Sequence, residues 1–570
     1  MFKDYYQQQL SLLRDLGKEF SNKHPSLAPM LAGQNSDPDV ERLLEGVAFL
    51  TGSVQQRLDD DFPELIQSLA HLLFPHYMRP LPATTIVQFK PKRGLSELCK
   101  VKAGTELNST EKHGVICKFT TCDDLSVYPL AIESAETHPS FLQLNFRFIE
   151  ASVSVLKENS LRIFLSGSYA NASNNLLFIR DNIDGITLSC QGKTFSLTGE
   201  QAISLISESG EISLFEYPNN ANTSFKSIQE YFTLPKYQLY IDILGVDWLQ
   251  QNRFLNEKEF SIKLRWKTPH PYKTFRQEDF QLFCVPAVNL FNHHADSISL
   301  DHSVTEYRVN PSGGEQYQIY SLDSIVGFQQ GSVNQREYLP FTMFNPQSSS
   351  VAVYSMKRKA SMLRDGCDSY ISVAYTEPLE QIKQEHLAIK VKCTNGRVTD
   401  DLRVGDICES TSTSPVLAEF SNITKPTAAV ESPLGDQLLW RMLSHLYINQ
   451  ASLAERQNLI TLLKLYIFTD SQDTKSTLAN TKRVEAIMTI TSKPVLRLFE
   501  GMMARGNEII ITLDPDGFSS RGDMYLFGCA INKVMSGYSS INSFTRLVFE
   551  ESGTSYRITW PEKVGLKCLV

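Results

Sequence analysis

Residues 37–50 read Asp-Pro-Asp-Val-Glu-Arg-Leu-Leu-Glu-Gly-Val-Ala-Phe-Leu, and few folds can accommodate such a run. Asp37 suits a helix cap and Pro38 the first helical position, where a missing N–H costs nothing. Asp39 and Glu41 suit the positive helix end. Val40, Leu43, Leu44, Val47, Phe49, Leu50, Val54 and Leu58 follow, mostly three and four residues apart. That spacing predicts a helix with a broad apolar side, which a neighbouring helix or a partner protein has to cover. It is the pattern of a packing or assembly helix rather than a catalytic loop. Val40, Leu43, Val47 and Leu50 are therefore the first interface candidates.

The flanking sequence extends this reading. Phe2, Tyr6, Leu10, Leu13, Leu16 and Phe20 recur near helical spacing until Pro25 interrupts them. Pro63 opens a further short helix with Leu65, Ile66, Leu69, Leu72 and Leu73 on its apolar side, and Pro75 stops it. Residues 1–80 thus read as a helical assembly region. At 570 residues the chain is too long for one core, and about three or four domains are expected.

After Pro82 the pattern changes to short strands and turns. Residues 81–225 read as a β-rich mixed domain, with strands over Thr84–Phe89, Phe141–Arg147, Ala151–Leu156, Leu161–Leu165 and Gly185–Leu188. Leu176–Ile179 fits a helix or a strand equally. Residues 226–423 read as a second β-rich domain. It opens on an aromatic helix over Ser227–Pro235 and continues through strands at Leu239–Leu244 and Ser261–Trp266. Residues 424–570 read as α+β. Helices are expected around Trp440–Tyr447, Leu453–Leu465 and Ala530–Tyr538, and strands at Val484–Ile490, Glu508–Leu513 and Met524–Phe527. The fold class is therefore multidomain mixed α/β: a helical N-terminal region, then β-rich domains, then a C-terminal α+β domain. Trp440, Leu443 and Tyr447 would share one helix side, and Phe544 sits near a sheet end. Trp440 and Phe544 complete the interface candidates.

Composition limits the function classes. With 55 basic and 63 acidic residues the formal charge is −8, the opposite of a nucleic-acid protein's basic concentration. Lys90-Pro91-Lys92-Arg93 and Lys357-Arg358-Lys359 are short clusters that read as solvated or protein-contact charge. No run of eighteen apolar residues is present, and the start leads into polar glutamines, so membrane association is expected through partners. Ten scattered cysteines read as free thiols in a reducing cytoplasm rather than a disulfide framework.

Catalytic patterns are incomplete. Cys117 and Cys122 have only His113 close upstream, which misses a zinc-site spacing. Ser444-His445 lacks a nucleophile elbow, and adjacent helical residues do not face each other. Arg505-Gly506 with Glu508 lacks the lysine and serine of a phosphate loop. His293, His294, Asp296, Asp301 and His302 form the densest polar group, although neighbours on a strand diverge. They carry the alternative reading, a β-rich metal-dependent hydrolase or polysaccharide-binding protein. No cofactor is expected.

The run "DPDVERLLEGVAFL" followed by "LDDDFPELIQSLAHLLFPHYMRPLP" resembles the TssF family, also called VasA or ImpG. The likeness recurs at "FTTCDDLSVYPL", "LRIFLSG", "QEYFTLPKYQLYIDILG" and "FCVPAVNLFNHHADSISLDHSVTEYRV". It returns at "CTNGRV", "ITKPT", "LLWRMLSHLYINQASL", "RGNEIIITLD", "YLFGCAINKVMSGYSSINSFTRL" and "ITWPEKVGLKCL", in order along the chain. Two places depart from the family pattern: Gly396-Arg397-Val398 stand where Arg-Asp-Leu is expected, and Gln437 interrupts a glycine-rich run. The resemblance implies a noncatalytic structural subunit of the bacterial type VI secretion baseplate wedge. It implies two TssF copies with one TssG, sharing a helical bundle, and TssK in the larger wedge. TssE and a VgrG hub would join in the assembled baseplate. The implied place is the cytoplasm, against the inner-membrane complex, where sheath and inner tube start.

Overall fold

The structure, a computed structural model, describes residues 2–23, 39–54, 70, 74–210, 212–217, 225–251, 254, 256–314, 316–329, 335–341, 352–361, 366–375, 384–432, 453–468, 474–499, 502–539 and 543–564. The chain divides into two compact units. One comprises Met1–Leu73 with Pro433–Met442, the other Phe74–Ser432 with Leu443–Val570.

The smaller unit is helical where it is described. Phe2–Lys23 forms one helix and residues 39–54 another. Arg14 donates to Glu41 at 2.8 Å, tying the two together.

The larger unit is built on mostly antiparallel sheets. One six-stranded sheet runs in the order Ile407–Glu409, Glu106–Ser109, Lys118–Thr121, Cys284–Val288, Thr84–Pro91, Ala418–Asn422. Its Thr84–Pro91 strand is buried over its first six residues, as a central strand covered on both faces must be. Another sheet orders Lys193–Thr198, Ile183–Cys190, Glu259–Trp266, Phe141–Phe148 and Leu130–His138. In its central strands buried and partly exposed residues alternate, which is the period-two signature the sequence carries. Ile203–Leu205, Tyr240–Leu244, Ser160–Leu165 and Phe280–Leu282 form a four-stranded sheet. The largest sheet has eight strands, among them Gln318–Gln329, Ala352–Ala360, Cys367–Tyr375 and Glu385–Thr394.

The C-terminal sheet orders Ile487–Phe499, Met502–Leu513, Ser543–Glu551 and Arg557–Thr559. Met502–Leu513 and Ser543–Glu551 run parallel, and the Arg521–Gly537 helix lies between them in the chain. That helix corrects the sequence expectation, which divided it into a strand at Met524–Phe527 and a helix at Ala530–Tyr538. Its residues from Gly522 to Asn532 are all buried, so it has no polar face and no helical hydrophobic period to read. Ser520 caps it by accepting from the Asp523 N–H. Gly522 is required by close approach, because a Cβ there would sit 2.1 Å from the Ser173 backbone on the Tyr169–Asn182 helix.

Other expectations are refined in the same way. Leu176–Ile179 lies inside the Tyr169–Asn182 helix. Ala151–Leu156 is not a strand: Val153–Val155 is a 3-10 turn, and the Ser152 and Ser154 hydroxyls bond each other at 2.9 Å. Val484 ends a helix, Thr474–Glu485, and the strand begins at Ile487. The sequence hides this helix because its buried face carries Asn480 and Arg483 alongside Val484.

Candidate assembly surfaces and a buried polar centre

The 39–54 helix turns its apolar stripe outward. Leu43 is 70% exposed, Leu50 65% and Val54 60%, with Val47 at 44%. Spacings of four, three and four place these side chains on one side. The fully buried positions are Ala48 and Gly52, roughly opposite. Val40 is half-buried. On the Phe2–Lys23 helix Leu12 and Leu16 are each 51% exposed. An apolar stripe in water forfeits burial worth about 1.5–3 kcal/mol per large side chain. Two of the smallest residues of this helix are buried, and most of its large apolar ones stand exposed.

Phe544 has a different setting. It is wholly buried in the Ser543–Glu551 strand, beside Gly506 on the neighbouring strand. A Cβ at Gly506 would come within 2.5 Å of the Phe544 ring, so glycine makes the space for it. Trp440, with Leu443 and Tyr447, lies outside the described residues, as do Ser444 and His445.

Among the described residues the densest polar site is one that sequence reading missed. Asp523, fully buried in the Arg521–Gly537 helix, accepts from five donors. Tyr231 and Tyr169 donate to Oδ1 at 2.6 and 2.9 Å. Arg483 Nε and the Ser519 N–H and hydroxyl each donate to Oδ2 at 3.1 Å. The Arg483 guanidinium also lies over the Tyr231 and Tyr169 rings at 5.4 and 5.6 Å. Burial opposes the arginine charge, but Tyr231, Asp523 and Tyr169 more than offset it, and its pKa moves up. Burial raises both tyrosine hydroxyls well above their ordinary range. Four helices meet here, and every oxygen of the carboxylate is used. The site registers helices from distant parts of the chain; it offers no open coordination position or exposed nucleophile. The only sequence trace was Ser520 followed three residues later by an acidic residue at the start of an apolar run.

The polar group behind the hydrolase reading is spread over the Phe291–His294 strand and the turns that follow it. His293 Nε2 lies 2.6 Å from the Ser312 carbonyl, and Asp296 accepts from the Ser312 hydroxyl at 3.0 Å. Asp301 accepts from the Ser303 N–H and hydroxyl and from Tyr307, hydrogen bonds that hold its pKa below the usual range. His294 is exposed, and the His302 ring stands edge-on to Tyr375. His113 turns to Asp401 at 3.1 Å, while burial pushes the Cys117 thiol up to about 11. Among the described residues no group of three His, Cys, Asp or Glu side chains is placed to hold a metal ion. Arg505, Gly506 and Glu508 lie on the Met502–Leu513 strand rather than in a loop.

Comparison with known proteins covers the whole chain. The family model described as "Type VI secretion system, TssF" matches residues 1–567. The type VI secretion system component TssF1 of Pseudomonas aeruginosa is 25% identical, over 99% of this chain and 98% of the relative. A chain in the solved type VI TssK-TssF-TssG baseplate subcomplex superposes with a TM-score of 0.77 at 25% identity, covering 92% of this chain and 98% of that one. A chain of the solved type VI baseplate complex shares the fold, with a TM-score of 0.60 at 20% identity over the full length of both.

Proposed function

Since this chain belongs to the TssF family of the type VI secretion system, we propose that its apolar N-terminal stripe is the seam through which it enters a baseplate wedge. The protein is a structural subunit of the type VI baseplate, and it acts by holding other proteins in register rather than by turning over a substrate. The observation that carries the seam is the outward stripe of Leu43, Val47, Leu50 and Val54 on a helix whose buried positions are Ala48 and Gly52.

TssG and TssK are its partners in this reading, supported by the likeness to a chain of the TssK-TssF-TssG subcomplex. Beyond them the proposal includes a second copy of this chain, TssE, and a VgrG hub around which the wedges close. Trp440 is proposed as an anchor between the two copies; Phe544, wholly buried within its own sheet, is a core residue and corrects that part of the expectation. The place of action is the cytoplasmic side of the inner-membrane complex; among the described residues no helix is long and apolar enough to cross a membrane. The division into 1–80, 81–225, 226–423 and 424–570 belongs to the same proposal.

The test is the double variant Leu43→Asp with Val47→Asp. Both side chains are substantially exposed, so the isolated protein should keep its native circular dichroism. At a buried seam two uncompensated carboxylates are costly, and co-purification with TssG should fall steeply. Unchanged TssG affinity in a folded double variant removes this helix from the seam. Normal sheath assembly in a clean deletion strain would refute the baseplate role itself.

A further inference from the structure

We propose that Arg358 is a buried pin that fixes the two points at which the chain crosses the boundary of the β body, Met78 where it enters and Ser432 where it leaves. The body begins at Phe74 and is left again after Ser432. Inside it the two connecting segments run side by side. Thr427 donates its N–H to the Thr84 carbonyl at 2.9 Å, and Leu81 and Val430 exchange backbone hydrogen bonds of 2.8 and 2.9 Å. Beyond that last pair the guanidinium of Arg358 takes over. Its Nη1 donates to both the Met78 carbonyl and the Ser432 hydroxyl. Its Nη2 donates to the Tyr320 carbonyl at 2.7 Å and the Ile319 carbonyl at 3.3 Å. One side chain thus gathers three stretches of chain, two through backbone carbonyls and one through the Ser432 hydroxyl, with the Gln318–Gln329 strand as the fixed base.

The strand alternation that separates Arg358 from its neighbours makes this possible. Lys357 and Lys359 both reach Glu306, at 2.9 and 2.8 Å, on the other face. Arg358 is only 2% exposed, and its hydrogen-bond acceptors among the described residues are all neutral oxygens. Its Nε is buried with no hydrogen-bond partner. Burial pulls its pKa down to about 10, so it is still a cation at neutral pH. An apolar side chain would fill this position without desolvating a charge. The planar guanidinium fork suits this place, because its two terminal nitrogens reach acceptors on separate segments at once. The arginine therefore serves placement, and the segments that join the body to the helical unit cross its boundary at fixed positions. This inference concerns the chain's own structure and does not depend on the baseplate reading.

Hydrogen exchange of the full-length chain, followed by mass spectrometry, tests it in Arg358→Met and Ser432→Ala. In Arg358→Met, peptides containing Leu81 and Val430 should exchange on the order of tenfold faster. Ser432→Ala should move the same peptides in the same direction by less. Peptides of the Met502–Leu513 strand should keep their wild-type rates in both. Unchanged exchange at Leu81 and Val430 in folded Arg358→Met overturns the proposal, as does equal acceleration throughout the chain. If Arg358→Met does not fold, Ser432→Ala decides: faster exchange confined to the two connecting segments upholds the pin, and no change there rejects it.

Discussion

Replacing Asp523 by asparagine asks whether the buried polar centre holds the C-terminal helix by charge or only by shape. Asparagine conserves the volume but turns one acceptor oxygen into a donor. The amide oxygen should take the Oδ2 position, because Arg483 and the Ser519 N–H can only donate. Its NH₂ then faces Tyr231 and Tyr169, whose hydroxyls rotate and accept. The unrelieved loss is the counter-charge of Arg483, which is only 6% exposed. A buried cation deprived of its partner costs about 3–5 kcal/mol. The expected loss in Asp523→Asn is of that order, read from urea unfolding followed by both tryptophan fluorescence and circular dichroism. The double variant Asp523→Asn with Arg483→Met removes the stranded charge. It should recover more than about 1 kcal/mol relative to the sum of the single changes. A single-variant loss below about 1 kcal/mol, or strict additivity in the double, would show that the ion pair is not what registers the four helices.

Two further outcomes follow from particular contacts. His76 is 3% exposed, and burial, with Arg79 nearby, lowers its pKa to about 4. The folded state therefore keeps it neutral where the unfolded chain takes up a proton. Its contribution is complete above the ordinary pKa of about 6.5 and is lost as pH falls toward 4. Between pH 7 and 5 this amounts to about 2 kcal/mol, which His76→Leu should remove from the pH dependence of the urea midpoint. Gly522→Ala places a methyl group against the Ser173 backbone and should cost about 1–3 kcal/mol or more, measured as a lowered midpoint; a neutral change would mean the two helices separate freely.

Much of the architecture is local and was legible. Proline and glycine punctuation, the helix start at Asp37-Pro38 and the alternation in Ser261–Trp266 are properties of neighbouring residues. The alternation in Ser261–Trp266 matches the Glu259–Trp266 strand, and a helix runs over residues 39–54, while Asp37 and Pro38 themselves lie outside the described residues. The spacing of Leu43, Val47 and Leu50 defined an apolar stripe. Period alone could not say which way the stripe faces, because inward and outward packing need the same residues. The tertiary structure decided that, by burying Ala48 and Gly52 instead.

Elements enclosed on every side were misread for the converse reason. From Gly522 to Asn532 the Arg521–Gly537 helix has no solvent-facing position, so that stretch carries no period, and its apolar run imitates a strand. Arg358 shows the same limit for charge. In the sequence it is the middle of a basic cluster, indistinguishable from Lys357 and Lys359. Strand alternation and the backbone carbonyls waiting on one face bury it and leave them partly exposed. The sequence alone determined the family, the order of helical and β-rich regions and the presence of an apolar stripe, since these are written in contiguous residues. Only the tertiary structure decided the pairing of Thr84–Pro91 with both Cys284–Val288 and Ala418–Asn422, the meeting of Asp523 with Arg483 and two tyrosines, and the inward turn of Arg358. Those contacts join residues from 38 to 354 positions apart, and their energy exists only once the intervening chain has folded and excluded water.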